Sequence, residues 1–126
     1  MIRAKRVYEP PQRSDGARVL VDRLWPRGVA KDRAKVDVWL KEIAPSDGLR
    51  KWFGHEPAKW AVFRRKYRAE LKEKSELLRM VRRLERERGS VTLVYAASDT
   101  GHNNAVVLAQ LLGRNWGQPL ICPVKE

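Results

Sequence analysis

The chain has 126 residues, 43% of them hydrophobic and 33% charged, with a formal net charge of +12 at pH 7. That length suits one domain of about 100–200 residues, able to bury a core without a disulfide or metal staple. The composition excludes a disordered chain, no apolar run reaches the roughly 20 residues of a membrane helix, and the single cysteine, Cys122, excludes an internal disulfide and a Cys-rich zinc site.

Residues Ile2 to Tyr8 alternate imperfectly and predict a short strand at a sheet edge. Glu9–Gly16 is a turn-rich connector. Arg18–Asp22 is a β-branched strand, stopped at Leu24–Gly28 because Pro26 cannot donate to a ladder and Gly28 permits a turn. Val36, Trp39, Leu40 and Ile43 fall at i, i+3, i+4 and i+7 and predict one face of a short helix. Ala44-Pro45 breaks it, and Ser46 caps the next turn, with Leu49, Trp52 and Phe53 expected inward. Gly54 ends that turn, and Pro57 opens a longer helix whose buried stripe is Trp60, Phe63, Tyr67 and Leu71. Leu77, Leu78, Val81 and Leu84 continue as a further helix closed by Gly89.

Val91–Ala97 is apolar at nearly every position, as a strand covered on both faces should be. The polar loop Ser98–Asn104 follows, then a largely buried helix, Ala105–Leu112, ended by Gly113. Pro119 and Pro123 fall in a tail with room for one more extended segment. Strand, long helical crossover, strand and helix make a βαβα pattern. The expected fold class is α/β: a single compact domain over residues 1–126, with a small, mostly parallel sheet flanked by helices. The second and third predicted strands should be parallel. The connector between the first two is too short for a helical crossover, which leaves the direction of the first strand open.

Ligands of open parallel sheets bind beyond the carboxyl ends of the strands. Asp22–Gly28 and Ser98–Asn104 both lie there if those strands are parallel. The helix after the second segment directs free N–H groups and a positive dipole end at the same space. Arg23 and Arg27 would add planar donor forks for phosphate or carboxylate. Trp25 is placed to stack on a flat ligand or to pack into the core. The ligand-binding residues expected are thus Arg23, Trp25, Arg27, Ser98 and Asn103, around an anionic small molecule. His102, oriented by Asp99, is the candidate acid or base should the site be catalytic. The structural alternative pairs the arginines with Asp22 and Asp37, and has Asp99 or Asn103 cap the helix. His55 reads as a turn residue between two helices. No cofactor and no metal are expected, since no ligand pair has metal-site spacing. Covalent catalysis lacks a thiol on either loop and a Gly-x-Ser-x-Gly elbow around Ser98.

The stretch Lys59–Arg88 holds more than half of the net positive charge. Glu70–Lys74, Lys72–Glu76 and Arg83–Glu87 stand at i, i+4 spacing and would offset part of it. The surplus, Arg64, Arg65, Arg68, Arg82 and Arg86, would suit the phosphates of nucleic acid, the alternative partner. A second alternative is a non-catalytic protein that binds a protein partner. A basic N-terminus without a signal-like apolar stretch predicts a cytoplasmic protein with no membrane partner.

Lys5-Arg6-Val7-Tyr8, Val21-Asp22-Arg23-Leu24-Trp25-Pro26-Arg27-Gly28, Ala44-Pro45-Ser46, Leu49-Arg50-Lys51-Trp52-Phe53-Gly54-His55, Tyr95-Ala96-Ala97 and His102-Asn103, in that order, carry a resemblance. Asp37 with Trp39-Leu40, Phe63 with Tyr67, Glu70-Leu71 and Thr92-Leu93 add to it. Over about residues 2–112 the chain resembles domain-of-unknown-function family 488, in its YeaO-like branch. The resemblance implies a compact α/β fold in a bacterial or archaeal cytoplasmic protein, and no particular activity. A sister branch carries cysteine motifs at the strand–loop–helix, whereas Tyr95–Ala97 and His102–Asn104 here hold no thiol. Some members bear the label of porphyrin-biosynthesis methyltransferases, but this chain has no glycine-rich methyl-donor loop.

Overall fold

The strand expected at Val91–Ala97 is the centre of the sheet, which accounts for its apolar run. The computed structural model describes residues 1–113; Cys122 and the segment around Pro119 and Pro123 lie outside the described residues. In chain order the elements are β1 (Ile2–Arg6), β2 (Ala17–Leu20), a single helical turn α1 (Lys31–Ala34), β3 (Val38–Trp39), α2 (Asp47–Phe53), α3 (Trp60–Leu71), α4 (Ser75–Arg88), β4 (Val91–Tyr95) and α5 (Asn104–Gly113). The strands order as β1-β4-β2-β3, and every adjacent pair is parallel. Val91 is level with both Ile2 and Ala17, so β4 inserts between the first two strands. The chain between those strands returns through a 3-10 turn at Arg13–Asp15 rather than a helix. This is an α/β domain, and β2 and β4 run parallel as their helical crossover requires.

Side chains alternate across the pleat. Ala17, Val19, Val21, Val91, Leu93 and Tyr95 face the main core. There they meet Phe53 of α2, Phe63, Tyr67 and Leu71 of α3, Leu78 and Val81 of α4, and Leu108 and Leu112 of α5. Leu20 and Val94 face the other way, under a smaller cluster with Val7, Ala34, Trp25 and Trp39. The buried Tyr67 hydroxyl donates to the Ile43 carbonyl at 2.6 Å, and burial raises its pKa well above the usual phenol value.

Three expectations are corrected. Val36, Trp39, Leu40 and Ile43 do not share a helix. The turn α1 stops at Lys35, whose φ of 51° is left-handed, and the chain then extends as β3. The exposed edge of β2 captures it: Asp37 N–H donates to the Arg18 carbonyl at 2.8 Å, and Leu40 N–H to that of Leu20 at 2.9 Å. Trp39 and Leu40 consequently fall on opposite faces of the sheet. Trp52 is not inward but 38% exposed, with Lys59 and Lys66 Nζ at 5.0 and 4.6 Å from its ring centre. Helix α2 is short, and its apolar stripe is taken by Leu49 and by Phe53, which stacks on Phe63 at 4.3 Å. Third, no ion pair forms at Glu70–Lys74, Lys72–Glu76 or Arg83–Glu87. A 3-10 turn at Lys72–Lys74 breaks the register of the first two pairs, whereas Arg83 and Glu87 lie within α4 and nothing in the structure explains why they stay apart. Glu70 accepts instead from Ser46 N–H and Oγ, at 2.9 and 2.6 Å, and Lys74 donates to the Ala44 carbonyl at 2.8 Å. Those contacts secure the Ala44–Ser46 turn, where Ser46 caps α2 by accepting from Leu49 N–H.

Candidate functional site: a basic cleft at the carboxyl ends of the strands

Where β2 and β4 end, their two loops diverge and leave a cleft of about 610 Å³. Asp22 stands at its base. Its carboxylate accepts from Ala96 N–H at 2.9 Å and from the Asn104 amide at 3.3 Å, and that amide also donates to the Val21 carbonyl at 2.9 Å. The Asp22 carbonyl accepts from Trp39 Nε1 at 2.7 Å. One aspartate thereby ties the ends of β2 and β4 and the start of α5 together. Burial raises its pKa above the usual carboxylate value, although the Ala96 N–H, the Asn104 amide and nearby His55 each pull it down.

Around this base the lining is basic. Arg23, Arg27, Arg50 and Lys51 all contribute, against the single carboxylate of Asp22. Arg23 extends along the Ala44-Pro45 turn. Its Nη2 makes long contacts of 3.5 and 3.4 Å to the Ala44 and Pro45 carbonyls, and its carboxylate neighbours Glu42 and Asp47 stay 3.8 and 3.9 Å away. Its Nε is buried without a hydrogen-bond partner, although the side chain is 26% exposed. The Arg27 carbonyl accepts from Tyr8 Oη, while its exposed guanidinium has no ion-pair partner among the described residues. Arg50 is held 3.3 Å from Asp47. The apolar part of the lining comes from Trp25, Pro26, Pro45, Phe53, Phe63 and Ala96. Trp25 is fixed by its Nε1–H to the Val29 carbonyl at 2.7 Å and by an edge contact with Trp39 at 5.5 Å. It therefore serves the smaller core and lines the cleft at once.

Arg23, Trp25, Arg27 and Asn103 all line the cleft; Ser98, Asp99 and His102 do not. Ser98 is exposed. Asp99 closes a local turn, accepting from the Gly101 and His102 N–H groups at 3.0 and 3.1 Å, with His102 Nδ1 at 3.0 Å. The hydrogen bond to His102 and then that from Gly101 hold the Asp99 carboxyl below its usual pKa. The His102 imidazole packs edge-on against Trp60 at 5.1 Å, and Trp60 in turn lies beside Phe53, 6.1 Å away. The aromatic wall of the cleft thus separates His102 from its interior. Buried Asn103 caps α5: its Oδ1 accepts from Val106 N–H at 3.0 Å while its Nδ2 donates to the Asp99 carbonyl at 2.9 Å. Neither arginine pairs with Asp22 or Asp37. Asp37 accepts from Arg18 N–H and stands 4.0 Å from Arg88.

Arg50, Lys51 and His55 line the cleft although they follow no strand end, and Tyr8 joins them from just past β1. His55 follows the left-handed Gly54 that terminates α2 and is itself left-handed, with φ 60°. That conformation is uncommon for a residue with a Cβ, though histidine is among those that adopt it. Its sequence signal is the Gly-His pair at the end of a capped helix.

The arginines of the basic helices are divided. Arg65 and Arg86 are exposed, Arg64 is half-buried, and Arg68 and Arg82 are half-buried with partners, Arg82 bonding Glu85 at 3.1 Å. Among the described residues no group of three or more His, Cys, Asp or Glu side chains is placed to share a metal ion, and no helix is long and apolar enough to cross a membrane.

Comparison with known proteins connects this architecture to a lineage. The family model described as the inactive DUF488-N3 subclade matches residues 1–119. The chain is 45% identical over 111 residues to uncharacterized protein YeaO of Escherichia coli (strain K12), covering 88% of this chain and 96% of that one. It is 43% identical, over 88% of its length and 92% of theirs, to uncharacterized proteins of Mycobacterium bovis and Mycobacterium tuberculosis. No solved structure gives a significant match. The chain belongs to the DUF488 family, in its YeaO-like branch.

Proposed function

We propose that this protein is a cytoplasmic binding protein for an anionic small molecule, with a phosphate or carboxylate held at the basic cleft. The observation that carries the reading is Arg23. Its guanidinium sits at the end of a parallel strand with one nitrogen buried and unbonded and its nearest carboxylates beyond hydrogen-bonding distance. A buried donor without an acceptor is costly, and an oxyanion would supply that acceptor. Arg27 and Lys51 add exposed cations on the same lining. The absence of a thiol from both strand-end loops, and the word inactive in the description of the matching family model, favour binding over covalent catalysis.

The test is titration calorimetry with inorganic phosphate and with acetate at low ionic strength. Arg23→Ala should weaken binding by roughly tenfold or more, the weight of one charge-assisted bond of about 1.5–3 kcal/mol. Unchanged affinity would remove the cleft as the anion site. The second reading, nucleic acid on the α3–α4 face, is favoured by exposed Arg65 and Arg86 and by Trp52 between Lys59 and Lys66. It takes over if an oligonucleotide binds, its affinity falls steeply with salt, and Arg65→Glu weakens it more than Arg23→Ala.

A further inference from the structure

The cleft is far larger than a bare anion needs. At about 610 Å³ it lies within the range of roughly 300–1,000 Å³ typical of sites for whole organic molecules. Its charge is also unevenly placed. The one carboxylate, Asp22, is at the base, bonded to the backbone where β4 ends. The cations Arg27, Arg50 and Lys51 are exposed, and Arg23 is part-exposed. A ligand's negative charge is repelled from the base and attracted to the rim. Between base and rim the lining is apolar and largely flat-faced. Trp25 and Pro26 come from the loop after β2, and Phe53, Phe63 and His55 from α2, its C-terminal turn and α3. Trp25, Phe53 and Phe63 are fixed before any ligand arrives, whereas His55 is exposed at the edge of this wall. The Trp25 N–H is already bonded, Phe53 is stacked on Phe63, and the His55 ring lies 6.2 Å from that of Phe53. Fixed aromatic faces bind a flat ring at little entropic cost.

We infer that the ligand is a ring-bearing anion, with a flat apolar ring set inward between Trp25 and the Phe53–His55 wall and its phosphate or carboxylate held outward by Arg23 and Arg27. This rests on the anion-binding reading of the same cleft and specifies its ligand class.

The experiment compares matched probes on the full chain: inorganic phosphate with phenyl phosphate, and acetate with benzoate. In at least one pair the ring-bearing member should bind about tenfold or more tightly, the gain expected from burying one aromatic ring against others. Trp25→Leu should remove most of that gain. His55→Gly, which suits the left-handed backbone there, should remove part of it. Nuclear Overhauser contacts between the phenyl protons and the Trp25 indole in the unmutated protein provide a readout independent of whether a variant folds. Equal affinities within both pairs would overturn the inference and leave anion binding standing. A ring gain that survives both substitutions, or no contact to Trp25, would also overturn it. If none of the four probes binds, both the inference and the anion-binding reading fall.

Discussion

The two ends of β2 carry the same residue types and put them to opposite use. At its amino end Arg18 and Asp15 form a closed cluster. Arg18 Nη1 lies 2.6 Å from Asp15 Oδ2, and its Nε and Nη2 both donate to the Ala34 carbonyl, at 3.1 and 3.0 Å. Asp15 takes further bonds from Lys5 Nζ at 3.2 Å and from Gln12 N–H at 3.0 Å. At the carboxyl end Asp22 is bonded but Arg23 is not its partner, and Arg23 retains an unbonded buried nitrogen. An aspartate and an arginine near one strand are thus structural where every guanidinium nitrogen has an acceptor and available for a ligand where one lacks it. Composition and spacing are silent on that distinction, because it depends on which carbonyls the fold places within reach.

The largest expected effect tests the closed end. Arg18→Ala would leave Asp15 and the Ala34 carbonyl buried with too few donors. Breaking such a pair by removing one partner costs about 3–5 kcal/mol. Urea denaturation should show a loss of that size with an unchanged m-value, whereas Arg23→Ala should cost less than about 1 kcal/mol because its ion pairs are long and part-exposed. If the two substitutions cost the same, the contrast between the ends of β2 is wrong.

The next effect is a difference of sign with pH. At Asp15 burial alone would raise the pKa, but the Gln12 N–H, Arg18 and Lys5 outweigh it, and the net shift is downward. Its ionised form is therefore favoured by folding. The stability it contributes is complete above the unfolded carboxyl value near 3.8 and is lost as pH falls through the lower folded value. At Asp22 burial prevails and the folded pKa is raised. Folding then favours the protonated form, and stability declines as pH rises from 3.8 through the folded value. Asp22→Asn should abolish that decline while keeping the Ala96 N–H bonded to the amide oxygen. Asp15→Asn should lower stability throughout the neutral range. Parallel pH–stability curves for the wild type and Asp22→Asn would show that Asp22 does not titrate abnormally.

Much of this was readable from residues alone, and the misses share a cause. The apolar run of β4, the Ser46 cap and the parallel pairing of β2 with β4 follow from local pattern and connection length. Strand β3 does not, because its spacing suits a helix and only the open edge of β2 makes it a strand. The same divide runs through the cleft. Arg23, Trp25, Arg27 and Asn103 reach it because they follow strands that end there. Arg50, Lys51 and His55 reach it because Phe53 stacks on Phe63 and so docks the C-terminal end of α2 against the same space. That docking is a tertiary contact with no sequence neighbour to announce it. Ser98, Asp99 and His102 follow a strand end yet stay outside, because Asp99 folds its own loop into a turn and Trp60 captures the imidazole.

The smallest expected effect decides whether that last group has a functional share. Asp99→Ala removes the acceptor for the Gly101 and His102 N–H groups and the partner of His102 Nδ1. The helix start itself remains capped, since Asn103 Oδ1 still accepts from Val106 N–H. Loss of the cap through Asn103→Ala should cost about 1 kcal/mol, and Asp99→Ala, at an exposed loop, should cost less. Because Asp99 and His102 lie behind Trp60 and Phe53 rather than on the cleft lining, the affinity for phenyl phosphate or benzoate should stay within about twofold of the wild type, a difference of some 0.4 kcal/mol. The argument turns on how the two effects separate. An exposed turn that only shapes its own loop can change local hydrogen exchange without altering a ligand held beyond an aromatic wall. If Asp99→Ala or His102→Ala instead weakens binding as much as Arg23→Ala does, while the melting temperature holds, then the imidazole reaches the ligand once the cleft is filled, and His102 joins Arg23 as a binding group.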